Sequence, residues 1–338
     1  MLQKYDIGNT SNVRKLLRDV DLMFFDIEKK AEKGFAPSLN NKIFSAINFL
    51  TQRVIAAEKQ GLNKDDIRAE LPNAWRIHSE SSFTKYAQDW PRDDIQGDYN
   101  IINMLMDKKE DADLNSIGGI IGRYALDCDI TEQHRNKVKI QAEHIKKVCK
   151  KVKGAVILSI ACGSARDVEL AQKEIKESGA KIFLVDFDQE ALNDAVSRLR
   201  SIENQLETFC IDVRQLPRIV KKLSEDNSEK KDGRIVKQYK FDLIYMGGLF
   251  DYLSTKFIKL ILKNISNEFM GENGKLLFTN IAEGNQYRVW METLVNWVLI
   301  ERSEKEMREL LSATNMNYKK TELYRDPTYL AWVAVVSR

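Results

Sequence analysis

Ala155-Val156-Ile157-Leu158-Ser159-Ile160 is an apolar run that leads directly into the small-residue turn Ala161-Cys162-Gly163-Ser164-Ala165. Residues 166–171, which follow the turn, have the pattern of a helix start. A second apolar run at 181–185 ends in Asp186-Phe187-Asp188. The order is strand, turn, helix, strand and acid, which predicts the first half of a nucleotide-binding α/β sheet.

The turn is poor in glycine, and this restricts the class of ligand. A dinucleotide site uses G-x-G-x-x-G so that a pyrophosphate can sit on the helix N-terminus. Here Gly163 is the one glycine of the turn, and Asp167 would place negative charge where a phosphate belongs. The pattern disfavours NAD, FAD and ATP and suits S-adenosylmethionine, which carries no phosphate. An ordinary βαβ unit without this ligand is the alternative.

Composition describes an ordinary globular chain. The 338 residues are 43% hydrophobic and 30% charged, with a net charge of +3. This charge is too mild to indicate a nucleic-acid partner, and the basic runs at 146–153 and 221–222 are interpreted as solvated helix faces. No apolar run reaches the length of a membrane span, and the N-terminus lacks a signal-peptide pattern.

The cysteines and histidines do not have the spacing of metal ligands, so no metal is predicted. Reduced thiols in a cytoplasmic protein fit the four scattered cysteines best. The expected partner is a small-molecule substrate, and the sequence leaves a homodimer open. The cysteines are Cys128, Cys149, Cys162 and Cys210, and the histidines are His78, His134 and His144.

Two domains are predicted, with a boundary near residue 150. Residues 1–150 carry apolar positions at helical spacing and predict an all-α lid and substrate region. Residues 151–338 alternate strands and helices and end in two alternating β runs, which predict an antiparallel hairpin. A polar, lysine-rich segment at 227–238 predicts a mobile loop. The fold class is therefore a Rossmann-like α/β sheet, mostly parallel, with an N-terminal helical region.

The turn resembles motif I of class I methyltransferases, acid-x-G-x-G-x-G, with Ser159, Ala161 and Ala165 as departures. Further motifs resemble one bacterial group of these enzymes, which includes the methyltransferase that makes 3-hydroxypalmitic acid methyl ester. The resemblance covers about residues 90 to 312 and departs at Asp93-Asp94-Ile95-Gln96, where the group has a Gly-Tyr pair. The motifs that carry the resemblance to this group are Ala161 to Asp167, Phe241 to Tyr245, Gly248 to Leu253, Asn285 to Trp297, Gly97 to Asn100, and His134-Arg135-Asn136.

The resemblance and the position of ligands at the carboxyl ends of strands imply a cofactor site. The turn would cradle the methionine portion, Asp186 or its rival Asp188 would bind the ribose, and Asp212 with Val213 would meet the adenine. Arg135 could pair with the cofactor carboxylate, or form a surface salt bridge. The full cofactor set is Arg135, Ala161, Cys162, Gly163, Ala165, Asp186, Asp188, Asp212, Val213, Met246 and Gly247.

The methyl acceptor is expected among aromatic and acidic residues. Tyr99, Tyr252 and Glu292 are the candidate catalytic residues, and Glu292 could orient the acceptor or act as general base. Asp98, Asn285 and Trp290 are the candidate substrate-binding residues, although Trp290 could equally pack in the core. The acceptor is expected to be an oxygen of a small natural product, such as a carboxylate. N-methylation of an amine, amino acid or peptide, and a cofactor-binding regulatory protein, are the alternatives.

Overall fold

The computed structural model describes residues 10–34, 37–89, 98–215, 230–231, 234–235, 240–314 and 320–338. Contacts divide the chain into a helical unit, Met1–Glu132 with Asn285–Val298, and an α/β unit, Gln133–Gly284 with Leu299–Arg338. The Pro, Gly and acids of residues 90–99 predict an irregular loop, of which residues 90–97 lie outside the described residues. Of the predicted insertion at 227–238, only the paired two-residue strands β4 (Lys230–Lys231) and β5 (Arg234–Ile235) are described.

The helical unit is built on helices with one apolar face. Helix α1 buries Val13, Leu17, Val20 and Phe24, which recur at helical spacing, and it packs against α2. The described helices of this unit are α1 (Thr10–Ala31), α2 (Ser38–Lys59), α3 (Lys64–Ala69), α4 (Pro72–His78), α5 (Ser82–Gln88), α6 (Tyr99–Asp107), α7 (Ile117–Asp127) and α13 (Arg288–Leu294).

The α/β unit contains a seven-stranded sheet in the order β3-β2-β1-β6-β7-β9-β8. The pairs from β3 to β7 are parallel, and β9 pairs antiparallel with both β7 and β8. This confirms the predicted mostly parallel sheet with an antiparallel C-terminal hairpin. The strands are β1 (Val156–Ile160), β2 (Lys181–Asp186), β3 (Leu206–Cys210), β6 (Phe241–Met246), β7 (Met270–Ile281), β8 (Lys320–Arg325) and β9 (Ala331–Ser337).

Both faces of the sheet are buried, as the continuous apolar runs require. Side chains alternate between the faces, so Leu158 and Phe183 belong to one core cluster and Ile157 and Ile182 to the other. The described helices that accompany the sheet are α8 (Asp129–Lys151), α9 (Arg166–Glu169), α10 (Gln172–Ser178), α11 (Gln189–Arg198), α12 (Thr255–Glu268) and α14 (Glu304–Ser312).

Three local features differ from the sequence-based expectation. The sequence pattern predicts a helix over Phe257 to Phe269 with Gly271 and Gly274 at its exit, whereas both glycines lie inside strand β7. It also predicts one helix over Tyr287 to Ile300, but this helix ends at Leu294, because Asn296 adopts a left-handed backbone with φ of 58°. The segment Asn285–Val298 also groups with the helical unit. The functional division near residue 150 stays a prediction.

Candidate functional site

The turn after β1 has an unusual backbone. Ala161, Gly163 and Ala165 all have positive φ, at 54°, 52° and 51°. For an alanine this left-handed conformation costs roughly 1–2 kcal/mol, so surrounding contacts must hold it. The N–H of Cys162 donates to the carbonyl of Val185 at 3.1 Å, which ties the turn to the neighbouring strand β2.

Asp186, the last residue of β2, also holds this turn. Its Oδ2 accepts from the N–H of Gly163 at 2.8 Å, and its Oδ1 accepts from the N–H of Asp188 at 3.0 Å. Burial raises the pKa of Asp186. Each carboxylate oxygen has a second lone pair, so both can still accept a ligand hydroxyl.

Asp188 has a different task in its own helix. Its side chain caps α11 and accepts from the N–H of Glu190 at 2.8 Å. A residue at an N-cap stabilises its helix by about 1 kcal/mol. Between the two acids, Asp186 is therefore the one directed at the turn.

Asp167, in helix α9 just after the turn, is a second buried acid near it. It is 6% exposed, and its Oδ1 accepts from the N–H of Val168 at 2.8 Å. Burial raises its pKa to about 6. The pKa of the Cys162 thiol is raised by burial and by Asp186 and Asp167. This turn is lined by carboxyl groups and is a poor environment for a phosphate.

The end of β3 lies next to Asp186. The N–H of Ile211 donates to the carbonyl of Asp186 at 2.7 Å. Asp212 follows, partly buried, and its carboxylate pairs with Arg214 at 2.5 Å. Val213 is also partly buried. Asp212 and Val213, which are predicted to bind the adenine, therefore follow strand β3. This strand pairs with β2, which ends in Asp186.

The end of β6 brings two glycines to the carboxyl edge of the sheet. Met246 is fully buried, and Gly248 has φ of 85° and donates its N–H to Thr279 Oγ1 at 3.0 Å. The next turn, Leu249–Tyr252, contains the buried Asp251, whose Oδ1 accepts from the N–H of Ile281 at 2.6 Å. The half-buried Tyr252 ends this turn.

Helix α8 contributes polar side chains that the sequence analysis did not single out. Lys137 is 6% exposed, and its Nζ lies 3.2 Å from His134 Nδ1 and 3.8 Å from Asp251 Oδ2. Gln141, one helical turn later, is also buried, as is the predicted Arg135. The available signal was the i, i+4 spacing of Lys137 and Gln141 on one helix face.

Arg302 is a further buried residue that the sequence analysis missed. Its guanidinium donates to the carbonyl of Phe250 at 2.6 Å, to the carbonyl of Leu253 at 2.6 Å and to the Asn280 side chain. It is 1% exposed and fixes the turn that carries Asp251. Sequence alone offered no local signal, because these partners are remote along the chain.

The structure gathers most predicted cofactor residues at one edge of the α/β sheet. The turn after β1 and the ends of β2, β3 and β6 form this edge, as their parallel order requires. The residues at these positions are Ala161, Cys162, Gly163, Ala165, Asp186, Asp188, Asp212, Val213, Met246 and Gly247.

Five of the predicted acceptor residues belong to the helical unit: Asp98, Tyr99, Asn285, Trp290 and Glu292. Asp98 caps α6, accepting from the N–H of Asn100 at 2.9 Å and from the hydroxyl of Tyr86. Tyr99 is the first residue of that helix.

The other three acceptor candidates lie in or beside α13. Asn285 Oδ1 accepts from the N–H of Tyr287 at 2.9 Å. Glu292 pairs with Arg288 at 3.1 Å, and burial raises its pKa. The substrate roles of these residues stay predictions.

Trp290 is a core residue of the helical unit. It is 1% exposed, and its Nε1 donates to His78 Nε2 at 3.1 Å. Its ring packs edge-on against Tyr124, with centroids 5.2 Å apart. These contacts account for the burial of the indole without a ligand.

Within the described residues, no group of three or more His, Cys, Asp or Glu side chains is arranged to hold a metal ion. In the same part of the chain, no helix has the length and hydropathy needed to cross a membrane.

No protein-family model and no curated protein matches the sequence. Among solved structures, a possible exported protein from Bordetella parapertussis superposes with a TM-score of 0.54 at 11% identity, covering 100% of this chain and 99% of that one. At so low an identity the likeness shows the fold and no more.

Two methyltransferase structures are more distant. Magnesium protoporphyrin IX methyltransferase from Synechocystis PCC 6803, with bound SAH, gives a TM-score of 0.44 at 10% identity, covering 62% of this chain and 86% of its own. The N-methyltransferase NodS from Bradyrhizobium japonicum WM9, in complex with S-adenosyl-L-homocysteine, gives 0.39 at 12% identity, covering 59% and 86%. Neither score carries a conclusion about this chain.

Proposed function

We propose that this chain is a methyltransferase that uses S-adenosylmethionine and releases S-adenosylhomocysteine. The observation that carries the proposal is the turn after β1, which two buried carboxyl groups line. Asp186 binds its backbone, and Asp167 lies two residues after it in helix α9, where it acts on the Cys162 thiol. A cationic sulfonium and ammonium suit this lining, whereas a pyrophosphate would be repelled by it.

Each strand end has a role in this proposal. The turn from Ala161 to Ala165 holds the methionine portion by backbone contact. Asp186 accepts the ribose hydroxyls with the lone pairs that Gly163 and Asp188 leave available. Asp212 and Val213 meet the adenine, and Met246 and Gly247 lie beside the methyl group.

The chemistry is an in-line displacement at carbon. When bound, S-adenosylmethionine supplies an electrophilic methyl group on a positively charged sulfur. The chain then has to align an acceptor and exclude water, and alignment alone can supply much of the rate. A carboxylate acceptor needs no base, whereas a hydroxyl acceptor needs its proton removed. Glu292, whose pKa burial raises, is the proposed base for that case.

The proposed acceptor is an oxygen of a small molecule, either a carboxylate or a hydroxyl of a fatty-acid-like or secondary metabolite. The support is the resemblance to the bacterial 3-hydroxypalmitic acid methyl ester group. Tyr99, Tyr252 and Asn285 are proposed to bind it. Trp290 is proposed to shape the wall of the pocket, and Arg135 to pair with the cofactor carboxylate.

N-methylation would require acids that bind a cationic acceptor, and Asp94, Asp98 and Glu292 are the candidates. Asp98 is engaged as a helix cap and Glu292 in an ion pair, so neither adds specific support for an amine. A regulatory protein that binds the cofactor without turnover is the third possibility. We further propose a cytoplasmic protein of natural product biosynthesis that works on small molecules as a monomer or homodimer.

Two measurements test the proposal. Calorimetry with S-adenosylhomocysteine should show binding, and binding of NADH should be absent. Incubation with methyl-labelled S-adenosylmethionine and small-molecule extracts should then give a labelled product in mass spectra. Absence of cofactor binding would contradict the proposal, and binding without any product would favour the regulatory alternative.

A further inference from the structure

Two buried donors meet the backbone at the end of β6. A Cβ added at Gly248 would lie 2.5 Å from Lys137 Nζ, and one added at Gly247 would lie 1.6 Å from Gln141 Nε2. Glycine at both positions lets these side chains reach the main chain at the sheet edge. All four residues belong to the α/β unit.

Both donors have capacity that the described contacts do not use. A lysine ammonium carries three N–H groups. The described partners of Lys137 are His134 Nδ1 at 3.2 Å and Asp251 at 3.8 Å, which account for two of them. Gln141 Nε2 is buried without a hydrogen-bond partner, in a side chain that is 5% exposed. A buried amide without a partner costs about 1–3 kcal/mol, which a bound acceptor atom would recover.

The charge around this pair favours an anion. The carboxylate of Asp251 interacts electrostatically with Lys137 and Arg302, and the carboxylate of Asp326 also interacts with Lys137. The short contact of Lys137 Nζ is to His134, which is neutral because burial lowers its pKa. The carboxylate of Asp251 lies 3.8 Å away, beyond hydrogen-bond distance. A buried ammonium with N–H groups to spare is stabilised by a hydrogen-bonded anion, so a bound carboxylate fits this place.

We propose that Lys137 Nζ and Gln141 Nε2 form a carboxylate-binding pair at the carboxyl end of β6. This inference rests on the proposed methyltransferase function, because it concerns the edge where the methyl group would be transferred. The carboxylate could belong to the acceptor or to the methionine portion of the cofactor. The pair lies beside Gly247 and Gly248, and this position favours binding of the carboxylate of the acceptor. The chain would then be a carboxyl O-methyltransferase.

The test compares three ligands by calorimetry. S-adenosylhomocysteine carries the methionine carboxylate, 5′-methylthioadenosine lacks it, and octanoate serves as the acceptor probe, titrated with and without S-adenosylhomocysteine. For an acceptor site, Lys137→Met should weaken octanoate binding roughly tenfold or more, the value of a charge-assisted hydrogen bond, and leave both nucleosides unchanged. If the pair binds the carboxylate of the cofactor, Lys137→Met should weaken the binding of S-adenosylhomocysteine alone.

Two further variants keep the test decisive. Gln141→Leu removes the amide at similar volume without unpairing Asp251, so it tests the pair if Lys137→Met does not fold. Lys147→Met, at an exposed position of the same helix, controls for loss of charge. The proposed pair would be overturned if both site variants bound all three ligands with unchanged affinity. It would also be overturned if the wild type did not bind octanoate and did not prefer S-adenosylhomocysteine to methylthioadenosine. Failure of the wild type to bind either nucleoside, with octanoate binding still dependent on Lys137, would instead refute the proposed cofactor.

Discussion

The carboxylate of Asp186 accepts the backbone N–H of Gly163 at 2.8 Å, so the acid that ends β2 holds the turn that follows β1. This contact gives the acid two functions in the proposed site, support of the turn and binding of the ribose. The two functions make its substitution informative.

Asp186→Asn should lower the affinity for S-adenosylhomocysteine by roughly tenfold or more, because it removes charge-assisted hydrogen bonds of about 1.5–3 kcal/mol. Calorimetry measures this, with Asp194→Asn on α11, where Asp194 pairs with Arg198, as the matched control. Unchanged affinity in Asp186→Asn together with reduced affinity in Asp188→Asn would move the ribose role to Asp188.

The buried Asp167 should make stability depend on pH. Its folded pKa of about 6 lies above the ordinary 3.8, so the fold favours the protonated acid. Its stabilising contribution is therefore complete below pH 3.8 and is lost as pH rises through 6. The free energy of unfolding of Asp167→Asn relative to that of the wild type should increase by about 1–3 kcal/mol between pH 4 and pH 7.5. Thermal unfolding checks this, and a constant difference would contradict it.

Arg302 should be essential for the stability of the α/β unit. Arg302→Met leaves the carbonyls of Phe250 and Leu253 buried without their donor. The expected loss is about 1–3 kcal/mol for each carbonyl left without a hydrogen bond. Arg308→Met removes an exposed i, i+4 pair with Glu304 and should change stability by about 0.5 kcal/mol or less. Similar melting temperatures for the two variants would contradict this role of Arg302.

Glu292→Gln tests the proposed acceptor role. If Glu292 orients or deprotonates the acceptor, turnover should fall by roughly 10²-fold while cofactor affinity stays the same. Glu58→Gln is the control, because Glu58 shares Arg288 as its partner at 2.7 Å and has no proposed role in catalysis. An equal effect of both substitutions on turnover would assign Glu292 to the ion pair instead.

The βαβ unit was predictable from local pattern. The apolar runs before Ala161 and Asp186 match β1 and β2, because continuous apolar runs separated by a turn and a helix specify buried parallel strands. The acid at the end of β2 followed from its position after such a run. The terminal hairpin was predicted from two β runs close together in the sequence, but β9 is a continuous apolar run buried on both faces and does not alternate as expected.

The polar interior of the α/β unit was not predictable in the same way. Lys137 and Gln141 belong to a lysine-rich amphipathic helix, where such residues are ordinarily solvated. Their burial against Gly248 and Gly247 depends on elements far apart along the chain, as do the hydrogen bonds of Arg302 to the carbonyls of Phe250 and Leu253. The grouping of Asn285–Val298 with the helical unit has the same origin. Apolar periodicity and turn chemistry act over a few residues and specify strands and helices, whereas tertiary packing decides which charged side chains lose water and which partners they then need.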